Sequence, residues 1–455
     1  MSGEENVSEL SDIAARVADQ AHEGEQVEAY VIRSTDTEVE VFGGEVESLT
    51  TAGVEGVGVR VILDHRQGVA WAGSLDPDVV EETLKEARDN AAFGEPDEFY
   101  GLASPADALA HQPPALDLWR EELVAVPTEE KVRIALELER ATKAADARVR
   151  NVESASYGDS FSEAALANSL GISAATRRTT CSASAVALAD DGSGVQSGYG
   201  FQAGRTLADL DLDQIPTDAA VRACRLLGAK PVPSRRISVI LDPLVTRSFL
   251  GVLASAFSGE AMLKGRSLFA GRVGERVGAA MVQLLDDPTD PRALGASVFD
   301  GDGIPTRRNA LVVDGVLQGF LHNVYTGRRS GTGTTASATR SLGSTPGVGV
   351  RALRLEPGAR TPAELMRAAG EAFYVQSVSG LHSGTNPISG DFSVGADGLM
   401  VRSGEFAEPV REVTIASTLQ RMLLDITEIA DDLTFLPGSI AGQTVLVGEM
   451  TLSGA

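Results

Sequence analysis

The chain is poor in cysteine and in aromatic residues, with two cysteines, Cys181 and Cys224, and 5% Phe, Trp and Tyr over 455 residues. So few thiols build neither a disulfide framework nor a CxxC metal knuckle; they suit a reducing compartment and are expected to be buried. Long apolar runs are missing too. The most apolar stretch, Phe249 to Phe257, is far too short to cross a bilayer. The N-terminal Met1-Ser2-Gly3-Glu4-Glu5 lacks the basic start and apolar run of a signal peptide. Positive charge is scarce: 39 Lys and Arg against 64 Asp and Glu leave a net charge of −25 and a pI near 4.6. That balance opposes unaided contact with nucleic acid or anionic membrane, whose phosphates would repel it. The expectation is an acidic cytoplasmic protein with neither nucleic acid nor membrane among its partners.

What is present is an ordinary globular balance, 43% hydrophobic and 23% charged, in a chain long enough for two or more domains. Leu10, Ile13, Ala14, Val17 and Ala21 recur at helical spacing. Short β-rich runs follow at Ala29–Ile32, Val39/Val41, Gly56–Leu63 and Gly68–Ala72, as in an antiparallel meander. Asp76-Pro77 and Thr128 open two further helices. Between them Pro96 to Pro127 reads as a long irregular crossing that contacts another domain or subunit. Strand patterns return over about 149–201, broken by turns at 168–171 and 190–193, and a helix near Thr217 to Leu227 precedes Pro231-Val232-Pro233-Ser234, the clearest linker. The predicted class is therefore α+β: residues 1–230 form an antiparallel sheet with covering helices, and 231–455 a β-rich domain with a closed or strongly curved, barrel-like sheet. Within the second half, Val312-Val313-Asp314-Gly315-Val316-Leu317 and Met400 to Phe406 read as hairpins. Helices are expected over Pro362 to Phe373 and Thr418 to Ile429.

Tests for catalytic motifs return little. Five histidines, His22, His65, His111, His322 and His382, are scattered, and none stands one helical turn from another beside a glutamate. No Gly-x-Ser-x-Gly elbow occurs, because Leu381 stands where the first glycine before Ser383-x would be needed. No phosphate-binding loop occurs either; Gly327 to Gly333 (GRRSGTG) reads as a mobile loop ahead of an anion site, and Asp300-Gly301-Asp302-Gly303 as a tight turn rather than a calcium loop. The densest polar segment is Gly380 to Gly398, GLHSGTNPISGDFSVGADG, too rich in glycine and hydroxyl residues to be core. Within it His382, Asn386, Ser389, Gly390, Asp391 and Ser393 are the candidates for substrate or partner contact, with self-satisfied loop scaffolding the competing reading.

This segment, with Glu408 to Ala416 behind it, resembles the C-terminal signature of the TldD/PmbA family and specifically its PmbA (TldE) branch. Gly56 to Val61, Asn168 to Gly171 and Phe269 to Arg272 resemble other family stretches in the same order, so the resemblance spans essentially the whole chain. It implies a cytoplasmic heterodimeric peptidase in which a TldD-type subunit carries zinc on an HExxxH helix and a TldE-type subunit does not. Anchored on Lys264-Gly265 and Phe269 to Arg272, the three motif positions fall on Leu250, Gly251 and Ser255, and no cysteine follows Cys224 to match the TldD-type ligand near the C-terminus. The resemblance thus implies no catalytic or metal-binding residue in this chain, zinc in a TldD-like partner, and a peptide-holding role here. Two rival functions remain open: the same pair acting on a small amide or peptide-like conjugate, and a regulatory module of the gyrase-modulator type without proteolysis.

Overall fold

A computed structural model describes residues 3–108, 112–192 and 194–454; His111 and Ser193 of the readings above lie outside the described residues. The N-terminal half is one six-stranded antiparallel sheet: β1 (Gln26–Phe42), β2 (Glu45–Leu63), β3 (Arg66–Ala72), β4 (Val149–Asn168), β5 (Ser173–Asp190) and β6 (Val195–Gly204), in the order β3-β2-β1-β4-β5-β6. The runs at 29–32 and 39–41 are a single strand, because β2 and β4 pair with β1 on both sides through the polar residues 33–38. Backbone pairing, not apolar alternation, carries β1 through that stretch.

Side chains on a strand point alternately to opposite faces, and here the two faces differ in chemistry. One face is apolar and covered by helices. Val27, Ala29, Val31, Val57, Val59 and Val61 meet Leu10, Ile13 and Val17 of helix Gly3–Ala18 and Val80, Leu84 and Ala87 of helix Pro77–Phe93. Farther along, Val39, Val41, Ala155, Tyr157 and Ala183 meet Ile134 and Leu138 of helix Thr128–Ala144 and Ile215 of helix Gln214–Cys224. The opposite face carries small and hydroxyl residues: Ser156 stands across from Ser184, Gly158 from Ser182, Ser160 from Thr180 and Ser162 from Arg178.

The C-terminal half is built on a closed five-stranded barrel. Strands Arg235–Leu241, Ala372–Ser379, Asp391–Arg402, Glu405–Thr418 and Val445–Ser453 are neighbours in turn, and the last closes the ring by pairing Thr414 with Ser453 and Ala416 with Thr451. Closure leaves these strands no free edge. A second, four-stranded sheet of short strands (Leu284–Asp286, Asn309–Val313, Val316–Leu317, Leu353–Leu355) packs into the same core. Both predicted hairpins form, with Asp314/Gly315 and Ser403/Gly404 at positive φ in two-residue turns. Two helices are shorter than the sequence suggested. Pro362–Ala369 ends at Gly370 because Ala372 begins a barrel strand, and Leu419–Leu424 ends because Ile426–Ile429 pairs with Val445–Ser453. Gly327 to Gly333 is not a mobile loop: Val324–Ser330 is a helix with Asn323 as its N-cap, and the later glycines supply its left-handed ending at Gly331.

The two halves are joined by buried charge. Glu28 of β1 is fully buried and receives both arms of Arg60, its cross-strand neighbour on β2, at 3.1 Å each, and is also hydrogen-bonded by Arg340 from the C-terminal half. Arg60 reaches Asp302 as well, at 3.5 Å. The tight turn at 300–303 is thus present and structural. Close approach is possible because β2 offers glycine where the C-terminal half lies on it: a Cβ on Gly58 would sit 2.2 Å from the Leu342 carbonyl oxygen. The 96–127 crossing contributes too, through Tyr325 Oη donating to Asp97 at 2.8 Å and Arg328 donating to the Leu102 carbonyl at 2.9 Å.

Removing one member of a buried ion cluster strands its partner, so Arg340→Met is expected to destabilise the chain by about 3 kcal/mol, read as a lower urea midpoint. Asp286 supplies the pH test. Burial pushes its carboxyl up to about 6 although Oδ1 accepts the Arg351 and Ala352 amides. A carboxyl that binds its proton more tightly folded than unfolded stabilises at low pH and loses that contribution as pH rises from about 4 through 6. Asp286→Asn, which keeps Oδ1 as an acceptor, should flatten that fall in a pH series of thermal midpoints and leave the variant more stable than the parent at pH 8.

Candidate functional site

Two regions stand out, and only the first holds the residues singled out in the sequence. The first is the signature at the barrel. After strand Ala372–Ser379, Gly380 turns left-handed into the short helix Leu381–Gly384, and Asn386 organises the turn behind it. Asn386 Oδ1 accepts the Ile388 amide at 2.9 Å and the Ser389 amide at 3.1 Å; Ser389 Oγ donates to Asp391 at 2.6 Å. Gly390 needs to be glycine: its φ is +88°, a Cβ there would strike the Gln420 side chain, and its carbonyl receives the Leu419 amide at 2.7 Å. Asn386, Ser389, Gly390 and Asp391 are therefore brought together, but chiefly to hold one another. His382 and Ser393 are exposed beside them. Phe392 turns inward and meets Phe249 edge-on at 6.4 Å, which ties the signature to helix Pro243–Ala254.

That helix carries Leu250 and Gly251, with Ser255 just beyond it, the positions on which the resemblance places the zinc motif. Asp242 caps it, accepting the Leu244 amide at 3.0 Å while also holding Arg222 and Tyr374. Leu250 is wholly buried in the barrel core with Phe249 and Leu253, Gly251 lies 3.6 Å (from an ideal Cβ) from Ile440, and Ser255 is exposed where the helix tightens into a 3₁₀ turn. A zinc site needs three or four nitrogen, sulfur or carboxylate donors converging on one point. Leucine and glycine offer none, and among the described residues no cluster of three His, Cys, Asp or Glu side chains could hold a metal ion. These residues do not fit a zinc centre.

The second region is the cleft between the hydroxyl face of the sheet and the C-terminal half. Its larger cavity, about 580 Å³, has Ser156, Ser160, Thr180 and Ser182 on its floor and Leu294, Gly295 and Pro437 to Ser439 as its opposite wall. A smaller one of about 210 Å³ adjoins it, and Arg178 lines both. The wall is connected to the zinc-motif helix: Arg247 donates to the Pro437 carbonyl at 3.0 Å. Cys181 borders the cleft but belongs to the helix face, where burial pushes its thiol up to about 12 and Sγ donates to the Thr206 carbonyl. It is not a nucleophile in waiting. Signature residues 380–398 line neither cavity. Sequence reading missed the cleft, although a signal existed: Ser154-Ala155-Ser156 and Ser182-Ala183-Ser184-Ala185 alternate hydroxyl with alanine, a pattern that gives a strand one apolar and one hydroxyl face.

Comparison with known proteins agrees along the chain. Residues 27–91, 121–227 and 234–454 match, in order, domain 1, the central domain and the C-terminal domain of the PmbA/TldA metallopeptidases. The metalloprotease PmbA of Escherichia coli O157:H7 is 26% identical over 452 residues, covering 99% of this chain and 96% of that protein; the PmbA homologue of Haemophilus influenzae is also 26% identical, with 99% and 97% covered. Among solved structures, a Thermotoga maritima protein described as a suggested modulator of a DNA gyrase superposes with a TM-score of 0.89 at 26% identity, covering 98% of this chain and all of that one. TldE of Thermococcus kodakarensis shares the fold, with a TM-score of 0.87 at 23% identity and 98% and 99% coverage. With three consecutive domain matches and relatives aligned over nearly their full length, the chain belongs to the PmbA/TldD metallopeptidase family.

Proposed function

We propose that this chain is the non-catalytic, TldE-like half of a two-chain metallopeptidase: it walls the reaction chamber and holds an extended peptide, and a TldD-like partner supplies the zinc. The observation that carries this reading is Leu250. A side chain completely withdrawn into the barrel core, followed by a glycine, stands where the family's metal subunit has its first ligand and general base, so the helix has been turned from chemistry to packing. The cleft supports the holding role. Its floor offers hydroxyls at strand spacing, suited to the alternating polar groups of an extended backbone, without a large apolar surface that would select one side chain.

A place for the partner is also available. Residues 45–55 of β2 are exposed and pair only with β1, and Phe42, Val46, Leu49 and Val54 leave apolar surface on that projecting hairpin. An open strand edge with apolar side chains is a ready surface for another chain.

The two-chain reading is tested by mixing this chain with the TldD-type protein encoded nearest to it and assaying unfolded peptides. A stable 1:1 complex is expected, with hydrolysis lost on chelation or on mutation of the partner's zinc helix; hydrolysis by this chain alone would overturn the proposal. Leu49→Asp, at a residue 48% exposed that belongs to no core cluster, is expected to weaken complex formation about tenfold with little change in the thermal midpoint of the isolated chain; undiminished pairing would remove the hairpin from the interface.

A further inference from the structure

The smaller cavity has a charge pattern at odds with the rest of this acidic protein. Three arginines converge on it: Arg178 from β5, and Arg340 and Arg351 from the C-terminal half. Arg178 makes no ion pair or hydrogen bond with any described residue and lines both cavities, with Asp36 and Tyr30 acting on its charge only from a distance. Withdrawal from bulk solvent and the neighbouring Arg351 both hold its guanidinium below the ordinary arginine range. Arg351 makes no direct ion pair among the described residues, although its charge acts on Asp286 and Asp300; one arm donates to the Ala338 carbonyl at 2.7 Å, and its Nε is buried without an acceptor. Arg340, whose side chain is 1% exposed and whose guanidinium lies over the Tyr30 ring, spends one nitrogen on Glu28, yet its Nε and its other terminal nitrogen are buried without a hydrogen-bond acceptor. Buried donors left unmade cost about 1–3 kcal/mol each, more for charged groups, so three in one place describe a site prepared for an acceptor.

The one carboxylate in the lining does not fill that role. Asp300 is turned away by its own turn: Oδ1 accepts the Asp302 and Ile304 amides and Oδ2 accepts the Ala338 amide, each at 2.9–3.0 Å. Beside the arginines the lining sets apolar Leu166, Ala174 and Phe299 among the hydroxyls of Ser162, Thr176 and Thr339. Cation fork and partly apolar wall together suit an organic carboxylate better than a fully hydrated inorganic anion, and a guanidinium matches a carboxylate with two parallel hydrogen bonds. The space of about 210 Å³ takes roughly one terminal residue, and at Arg178 it adjoins the larger cavity.

We propose that this cavity is a carboxylate-binding pocket that receives the free C-terminal carboxylate of a peptide whose preceding residues lie along the serine and threonine floor. The proposal deepens the peptide-holding role and rests on it only for the ligand being a peptide; binding by this chain alone, without partner or hydrolysis, tests it separately.

The probes are N-acetyl-trialanine as the free acid, the same peptide as its C-terminal amide, and inorganic phosphate, titrated calorimetrically against the full chain and against Arg178→Gln and Arg178→Lys. Because Arg178 holds no partner in the fold, both variants should melt as the parent does. The expected result is at least tenfold tighter binding of the acid than of the amide, a preference abolished in R178Q and partly kept in R178K, with phosphate a weak competitor. Equal binding of acid and amide, no binding of the acid, or an undiminished preference in R178Q would overturn the pocket. Phosphate competing as well as the acid would overturn the carboxylate assignment. An acid preference together with a two-chain mixture that hydrolyses nothing would leave the pocket standing and remove the peptidase reading.

Discussion

The structure depends on one buried carboxylate. Glu28 lies in the middle of a sheet, fully removed from water, and is tolerable there only because Arg60 on the next strand and Arg340 from three hundred residues away both reach it. Burial and the two cations act on it in opposite directions, and the cations win, holding the carboxyl below its ordinary value. The same constraint positions the C-terminal half, since Arg340 cannot serve Glu28 unless the chain around it is laid against β2. Leu342 then crosses directly over Gly58, and Asp302 closes on Arg60 while accepting the Val324 amide. The cleft is the space this docking leaves between sheet and barrel.

From that docking follows the unusual division of the sheet. Most antiparallel sheets in two-layer folds bury one face and give the other to bulk water. Here the second face is neither core nor open surface. Near Glu28 it is packed by the C-terminal half, and farther along β4 and β5 it stands off from the 293–295 and 437–439 segments across a cavity. Hydroxyl residues satisfy both situations, because they tolerate partial burial and can bond to whatever enters. The chain carries a net charge of −25, yet in the smaller cavity the balance reverses, with Arg178, Arg340 and Arg351 against Asp300 alone; nearby, burial together with Arg178 and Arg120 pulls the Arg205 guanidinium down to about 10.

Much of the fold was legible in the sequence, and the failures have a common cause. Signals that depend on local geometry were read correctly: Asp314-Gly315 and Ser403-Gly404 demand positive φ wherever they occur, and the heptad-like spacing from Leu10 to Val17 requires an apolar surface to lie on. The errors occurred where distant pairing overrides local pattern. β1 looked like two strands because Arg33 to Glu38 have no apolar alternation, yet β2 and β4 supply both flanks there. GRRSGTG looked like a loop because its helix is a short one, held by the Asn323 cap and by Arg328 reaching back to residues 102 and 107. The arginine-lined cavity was invisible for the same reason: positions 178, 340 and 351 share no spacing, and only the docking of the two halves places them together. The signature loop was identifiable from composition, but composition could not separate residues that bind something from residues that bind each other, and Asn386, Ser389 and Asp391 are largely occupied with one another.

The helix from Pro243 to Ala254 gives its side chains to packing. In a metal-binding helix, ligand side chains must leave the core and converge on a shared point. Here they turn inward. Leu250 adds a fully buried aliphatic group worth about 1.5–3 kcal/mol, Gly251 admits Ile440 close to the helix backbone, and Arg247 fastens the cleft wall through the Pro437 carbonyl. Because the wall it fastens is the wall of the cleft, the packing of this helix fixes the shape of that space.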